Sequence, residues 1–80
     1  MSEAFIKKNV KLSLEFDDYI TKHPKLFSAI PNGAYIVITI SDDKKFNDES
    51  LSLIRDTRRK KVVEAHKSGA SWTIRPLAVA

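Results

Sequence analysis

Phe5, Leu12, Phe16 and Tyr19 recur at spacings of seven, four and three, with Ile20 beside them. That recurrence places them on one face of a helix. Lys7, Lys8, Lys11, Glu15, Asp18 and Lys22 fall on the other face. The predicted helix runs from Ser2 to Lys22. Ser2 caps it, and Glu3 in its first turn suits the positive end of the dipole. His23-Pro24 stops it, because a residue before proline is pushed out of the α region. Asn9 and Ser13 lie inside the apolar arc, and Ile6, Val10 and Leu14 form a second stripe at its edge. This arc is wider than packing on one small sheet requires. Either Asn9 bonds backbone in its own subunit and one core covers the helix on two sides, or the second stripe packs on a partner subunit. In the latter case a polar residue in the seam fixes the register.

Pro24 at a first helical position starts a short second helix, Lys25–Ile30, with Leu26, Phe27 and Ile30 directed inward. Ile30-Pro31-Asn32-Gly33 is a turn, since proline presets φ and asparagine or glycine tolerates positive φ. Ala34–Ile40 carries no charge and is rich in β-branched and aromatic residues, so it reads as a buried strand. It lacks polar alternation, which predicts a central strand or one covered on both sides.

After the acidic loop Ser41-Asp42-Asp43, Asn47 has the character of an N-cap, with Asp48 and Glu49 in the first turn. The helix predicted from Asn47 extends to about Lys67 and ends at Ser68-Gly69. Leu51, Ile54, Arg58, Val62 and Ala65 share its inner face, and Lys61 and Glu64 are placed to pair. Trp72 and Ile74 then alternate with Thr73 and Arg75 as a strand does, and Pro76 marks that strand as an edge or ends its paired part near Arg75. Ala78–Ala80 are expected to fray.

The predicted order is helix, short helix, strand, helix, strand. It describes an α/β chain, at the border with α+β, whose β-α-β unit makes a small parallel sheet. Two strands are too few to stand alone. The chain has 80 residues, which makes one domain, residues 1–80. A chain of this size buries only about 60% of the surface it exposes when unfolded. Small domains compensate with disulfides, a metal or a partner subunit. There is no cysteine, and His23 and His66 stand far apart with no ligand spacing around them. Either the first helix covers the deficit, or two copies join their sheets or pack their first helices together; a homodimer that completes the sheet is expected.

Composition narrows the setting. The start, MSEAFIKKN, lacks the order of a signal peptide. Ala34–Ile40 is far short of the roughly 20 apolar residues that cross a bilayer. The expected location is the cytoplasm, with no membrane partner. A net charge of +4 favours non-specific contact with polyanions. The run RDTRRKK supplies Arg55, Arg58, Arg59, Lys60 and Lys61 as anion contacts. On a helix they spread over several faces, without the aromatic or amide residues that a nucleic-acid reader interleaves.

The carboxyl ends of parallel strands are where ligands bind in open α/β sheets. Asp42, Asp43 and Asp48 lie there and are the residues for an oxygen-ligand metal site, although ordinary capping also accounts for them. No GxSxG, HExxH, CxxC or P-loop occurs, and nothing implies a cofactor.

Lys8, Asn9, Leu12, Ser13, Glu15, Phe16 and Tyr19, then His23 and Pro24, then Ile30, Pro31, Gly33 and Ala34 make a pattern that covers about the first 47 residues. It resembles a family of very short prokaryotic proteins known only as a domain of unknown function. The resemblance implies the architecture and carries no activity. The expected function is a small self-associating protein-interaction module without catalytic activity, docking through Ile6, Asn9, Val10, Ser13 and Leu14. The alternatives are a nucleic-acid-associated or regulatory protein using the basic run, and a metal-dependent enzyme using the acidic loop.

Overall fold

A computed structural model describes residues 2–56 and 61–77. Helix α1 spans Glu3–Lys22, as its spacing predicts. The Ser2 hydroxyl accepts the Phe5 N–H at 3.1 Å, which satisfies one of the orphan donors of the first turn. At the far end His23 stacks on Tyr19 with ring centroids 3.9 Å apart, and its Nδ1 lies 2.8 Å from the Tyr19 carbonyl. The single turn α2, Pro24–Phe27, follows. It is shorter than expected, and Phe27 is 61% exposed rather than directed inward. One turn can aim only one of two adjacent side chains at the core, and Leu26 takes that place.

Strand β1, Tyr35–Ile40, begins after a turn in which Gly33 has a φ of 76°. It ends where Asp42 takes a φ of 65°, a region that aspartate tolerates better than most side chains. Helix α3 is Lys44–Ser52, continued by one 3₁₀ turn, Leu53–Asp56. Its cap is Asp43, whose carboxylate accepts the Phe46 N–H at 3.0 Å. Asn47 is therefore inside the helix and not its cap.

The helix predicted over Asn47–Lys67 is the main correction. Residues 57–60 of that prediction, and Ala78–Ala80, lie outside the described residues. Val62–Ser68 is strand β2, and Ser71–Leu77 is β3. Arg, Lys, Glu and Ala around this stretch favour helix locally. The strand forms because Val62 and Val63 begin a period-two alternation that matches β1, and pairing across the sheet outweighs that local preference. Gly69 is not a helix terminator. With a φ of 61° it occupies the first central position of the two-residue hairpin turn between Ser68 and Ser71, the place where glycine is favoured in such turns.

The sheet order is β1-β2-β3. β1 and β2 are parallel, with Ile38 opposite Ala65. β2 and β3 are antiparallel, with Ala65 opposite Ile74. The α/β class thus stands, in a mixed form: the parallel partner of β1 is β2, and the last segment adds a third, antiparallel strand. β3 is an edge, where Pro76 is tolerated.

β1 is also an edge of the sheet, not a central strand. The Tyr35 and Ser41 N–H groups donate to the carbonyls of Lys61 and Lys67 on the β2 side, at 2.9 and 3.0 Å. Alternation then points the Ile40 backbone away from β2. There the Asn47 side chain meets it. Asn47 Oδ1 accepts the Ile40 N–H at 2.8 Å, and Asn47 Nδ2 donates to the Ile40 carbonyl at 2.7 Å. α3 packs beside β1, and this side-chain amide takes the place of a further strand at Ile40, the last residue of the edge. Asn47→Ala is expected to lower stability by about 1–2 kcal/mol, measured by urea denaturation.

α1 crosses the face that carries Ile38, Ala65 and Trp72. Phe5 meets Phe46 of α3 at a centroid distance of 5.1 Å. Phe16 meets Trp72 of β3 at 5.0 Å. Leu12 is buried between them. Two ion pairs tie the rim of α1 to the strand ends: Lys8 with Asp43, and Glu15 with Lys67 at 2.9 Å.

Candidate functional site

The sheet face away from α1 holds a polar cluster to which all three strands contribute. The register sets Thr39 of β1 beside His66, and Glu64 of β2 beside Arg75 of β3. Glu64 is only 4% exposed. Its Oε2 accepts the Thr39 hydroxyl at 2.5 Å, and its Oε1 accepts Nε–H of Arg75. Burial opposes its ionisation. The hydrogen bonds from Thr39 and Arg75, with the charges of Arg75 and His66, outweigh burial and hold the carboxyl below the usual glutamate range.

The network places a proton on Nδ1 of His66. Thr39 has one proton and gives it to Glu64, so its oxygen accepts Nδ1–H of His66 at 2.7 Å. His66 Nε2 lies 3.3 Å from the Ser41 hydroxyl. The chain of donors runs from His66 through Thr39 to Glu64. Chemically, this is a carboxylate held charged by donors from two neighbouring strands. It straps β1, β2 and β3 together.

Sequence reasoning missed this cluster, because it set Glu64 against Lys61 on a helix. The signal was present in the alternation from Val62 to Lys67, which sends Val62, Glu64 and His66 to one side and Val63, Ala65 and Lys67 to the other.

The expected metal residues do not converge. The Asp43 carboxylate is divided between Lys8 and the α3 cap, and these bonds, led by that from Lys8, hold it below its ordinary range. Asp48 is 3.9 Å from Lys44. Among the described residues no three acid or histidine side chains are grouped to hold a metal. Of the basic run, Arg58, Arg59, Lys60 and the side chain of Arg55 lie outside the described residues. Lys61 is exposed. A groove of 480 Å³ lies along Lys7, Lys8, Lys11, Leu12, Glu15 and Lys67. Asp43 and Glu15 balance two of its lysines.

The expected interface residues do lie together on α1. Ile6, Val10 and Leu14 are 48%, 53% and 65% exposed, in a row with four-residue spacing, so each sits one turn from the next. Asn9 and Ser13 are half-buried beside them. No helix among the described residues is long and apolar enough to cross a membrane.

No curated protein and no solved structure matches the chain. A family of unknown function, DUF5647, matches residues 4–64, from the first turn of α1 to the third residue of β2. The match extends past Asn47, where the resemblance seen in the sequence stops, through α3 and into the strand that carries Glu64. Because it spans well over half of the chain, this protein belongs to the DUF5647 family of unknown function.

Proposed function

We propose that this protein is a small self-associating protein-interaction module without a catalytic role, and that it docks through the outer face of α1. The observation that carries the reading is the exposed row of Ile6, Val10 and Leu14. Single exposed aliphatic residues are ordinary on a soluble protein, whereas a contiguous apolar stripe on a surface marks a contact site. A second argument is size, since a core this small gains from a partner subunit. Asn47 occupies the β1 edge at Ile40, which favours the helix face over sheet completion as the contact. The same reading takes the protein as cytoplasmic, in line with the cysteine-free composition.

Light scattering or sedimentation at micromolar concentration tests it. The expected mass is that of a dimer, and Val10→Glu with Leu14→Glu is expected to give a folded monomer. Both positions are exposed, so the helical spectrum survives, while Tm falls by the part that dimerisation contributes. A monomeric mass for the unmutated protein overturns the proposal.

A further inference from the structure

We infer that α1 packs antiparallel on α1 of a second copy, with the basic half of one helix over the acidic half of the other. The inference rests on the self-association proposed above and adds its geometry. The exposed side chains flanking Val10 and Leu14 are not mixed at random. Lys7 and Lys11 lie in the first half of the helix, and Asp17 and Asp18 in the second. An antiparallel pair centred near Leu12 brings Val10 over the partner's Leu14 and Lys7 beside the partner's Asp17 and Asp18, and does so twice by symmetry. A parallel pair sets lysine on lysine and aspartate on aspartate. Rim ion pairs add little affinity, but like charges in register exclude the wrong orientation.

The charges are available for this. Lys7 and Asp18 are held only by exposed pairs one turn away, to Glu3 and Lys22, each at 3.1 Å. Such pairs exchange readily. Among the described residues Lys11 and Asp17 have no ion-pair partner in their own chain. Asn9 and Ser13 at the side of the stripe place polar groups along the seam, where they disfavour a slipped register.

Within one chain Lys7 and Asp18 stand about 16 Å apart along the helix, so a direct bond between them is intermolecular. The natural chain has no cysteine, which makes single-cysteine variants clean probes. Lys7→Cys and Asp18→Cys are oxidised separately and as a mixture, after the mass of each under reducing conditions has been measured. The mixture is expected to give the mixed disulfide, one chain of each variant, in large excess over the homodisulfide of either variant alone, because a disulfide needs Cα atoms within about 7 Å. Zero-length carbodiimide coupling of the unmutated protein is expected to join Lys7 to Asp17 or Asp18 within a species of dimer mass. Homodisulfides formed by each variant alone, or a dimer with neither link, overturn the antiparallel arrangement and leave self-association standing. A monomeric mass for the unmutated protein overturns both.

Discussion

Phe16→Ala is expected to lower the stability of this protein by about 3–5 kcal/mol. Phe16 is 2% exposed and lies against Trp72, with their ring planes tilted by 54°. It joins the middle of α1 to β3, the last strand of the chain. Removing a buried phenylalanine side chain costs about 3–5 kcal/mol, the lost transfer energy plus the cavity left behind. A domain of this size has about 4–12 kcal/mol in total, so the loss is a large share of it. Trp72 fluorescence under urea reads the result directly, since the ring that moves into water is the partner of the deleted one. Phe27→Ala is the control. Phe27 is as large but exposed, and its loss is expected to change stability by no more than about 0.5 kcal/mol. Equal effects at the two positions would mean that the core is not where the rings meet.

The second large effect is electrostatic. Thr39→Val keeps the shape of a buried side chain and removes the hydroxyl that donates to Glu64. The carboxylate stays buried with one donor fewer, and the His66 Nδ1–H loses its acceptor. The expected loss is about 1–3 kcal/mol at neutral pH.

The pH dependence of this loss has a definite sign. Glu64 has a folded pKa below its ordinary value of 4.5. Its contribution is therefore fully present above that value and is lost as pH falls through the folded pKa. In Thr39→Val that pKa rises, so the gap between the variant and the unmutated protein is widest near neutral pH and narrows in acid. Urea denaturation from pH 7 downwards measures it. A gap that widens in acid would show that Glu64 is not held ionised by Thr39.

The parts of the fold legible in the sequence are those whose signals are local. α1 carries its own period, cap and proline stop, and it spans the predicted residues almost to the last one. The turn before β1 is written in Pro31-Asn32-Gly33, and β1 in its β-branched run. The pattern of the second apolar stripe is equally local. Four-residue spacing on a known helix is enough to place Ile6, Val10 and Leu14 on one face, and their exposure agrees with a face turned away from the sheet.

β2 was not legible, for a physical reason. Val62–Ser68 has a composition that suits either structure, follows a helix without glycine or proline between, and ends in Ser68-Gly69, a pair that closes a helix as well as it opens a hairpin. Periodicity over so short a stretch does not separate the two. The partner decides it. β1 exposes one edge of backbone donors and acceptors, and seven residues alternating between the core and the far face satisfy it.

The same is true of Asn47 and of the polar cluster. Asn47 has the chemistry of a cap, and Asp43, four residues earlier, has it too. Because Asp43 takes the cap, the Asn47 amide is left to bond the edge of β1. Thr39, Glu64, His66 and Arg75 are ordinary residues one at a time. They become a cluster only because the register of three strands sets them side by side.

By itself, then, the sequence of this protein determined a capped amphipathic first helix, a turn into an apolar strand, and a second apolar stripe on that helix, since each depends on spacing within one segment. Only the tertiary structure decided that the chain between α3 and Gly69 contributes a strand, that Asn47 bonds the edge of β1 at Ile40, and that a buried carboxylate straps the sheet. Those outcomes depend on which backbone and side-chain groups are left unpaired once the distant parts of the chain have come together.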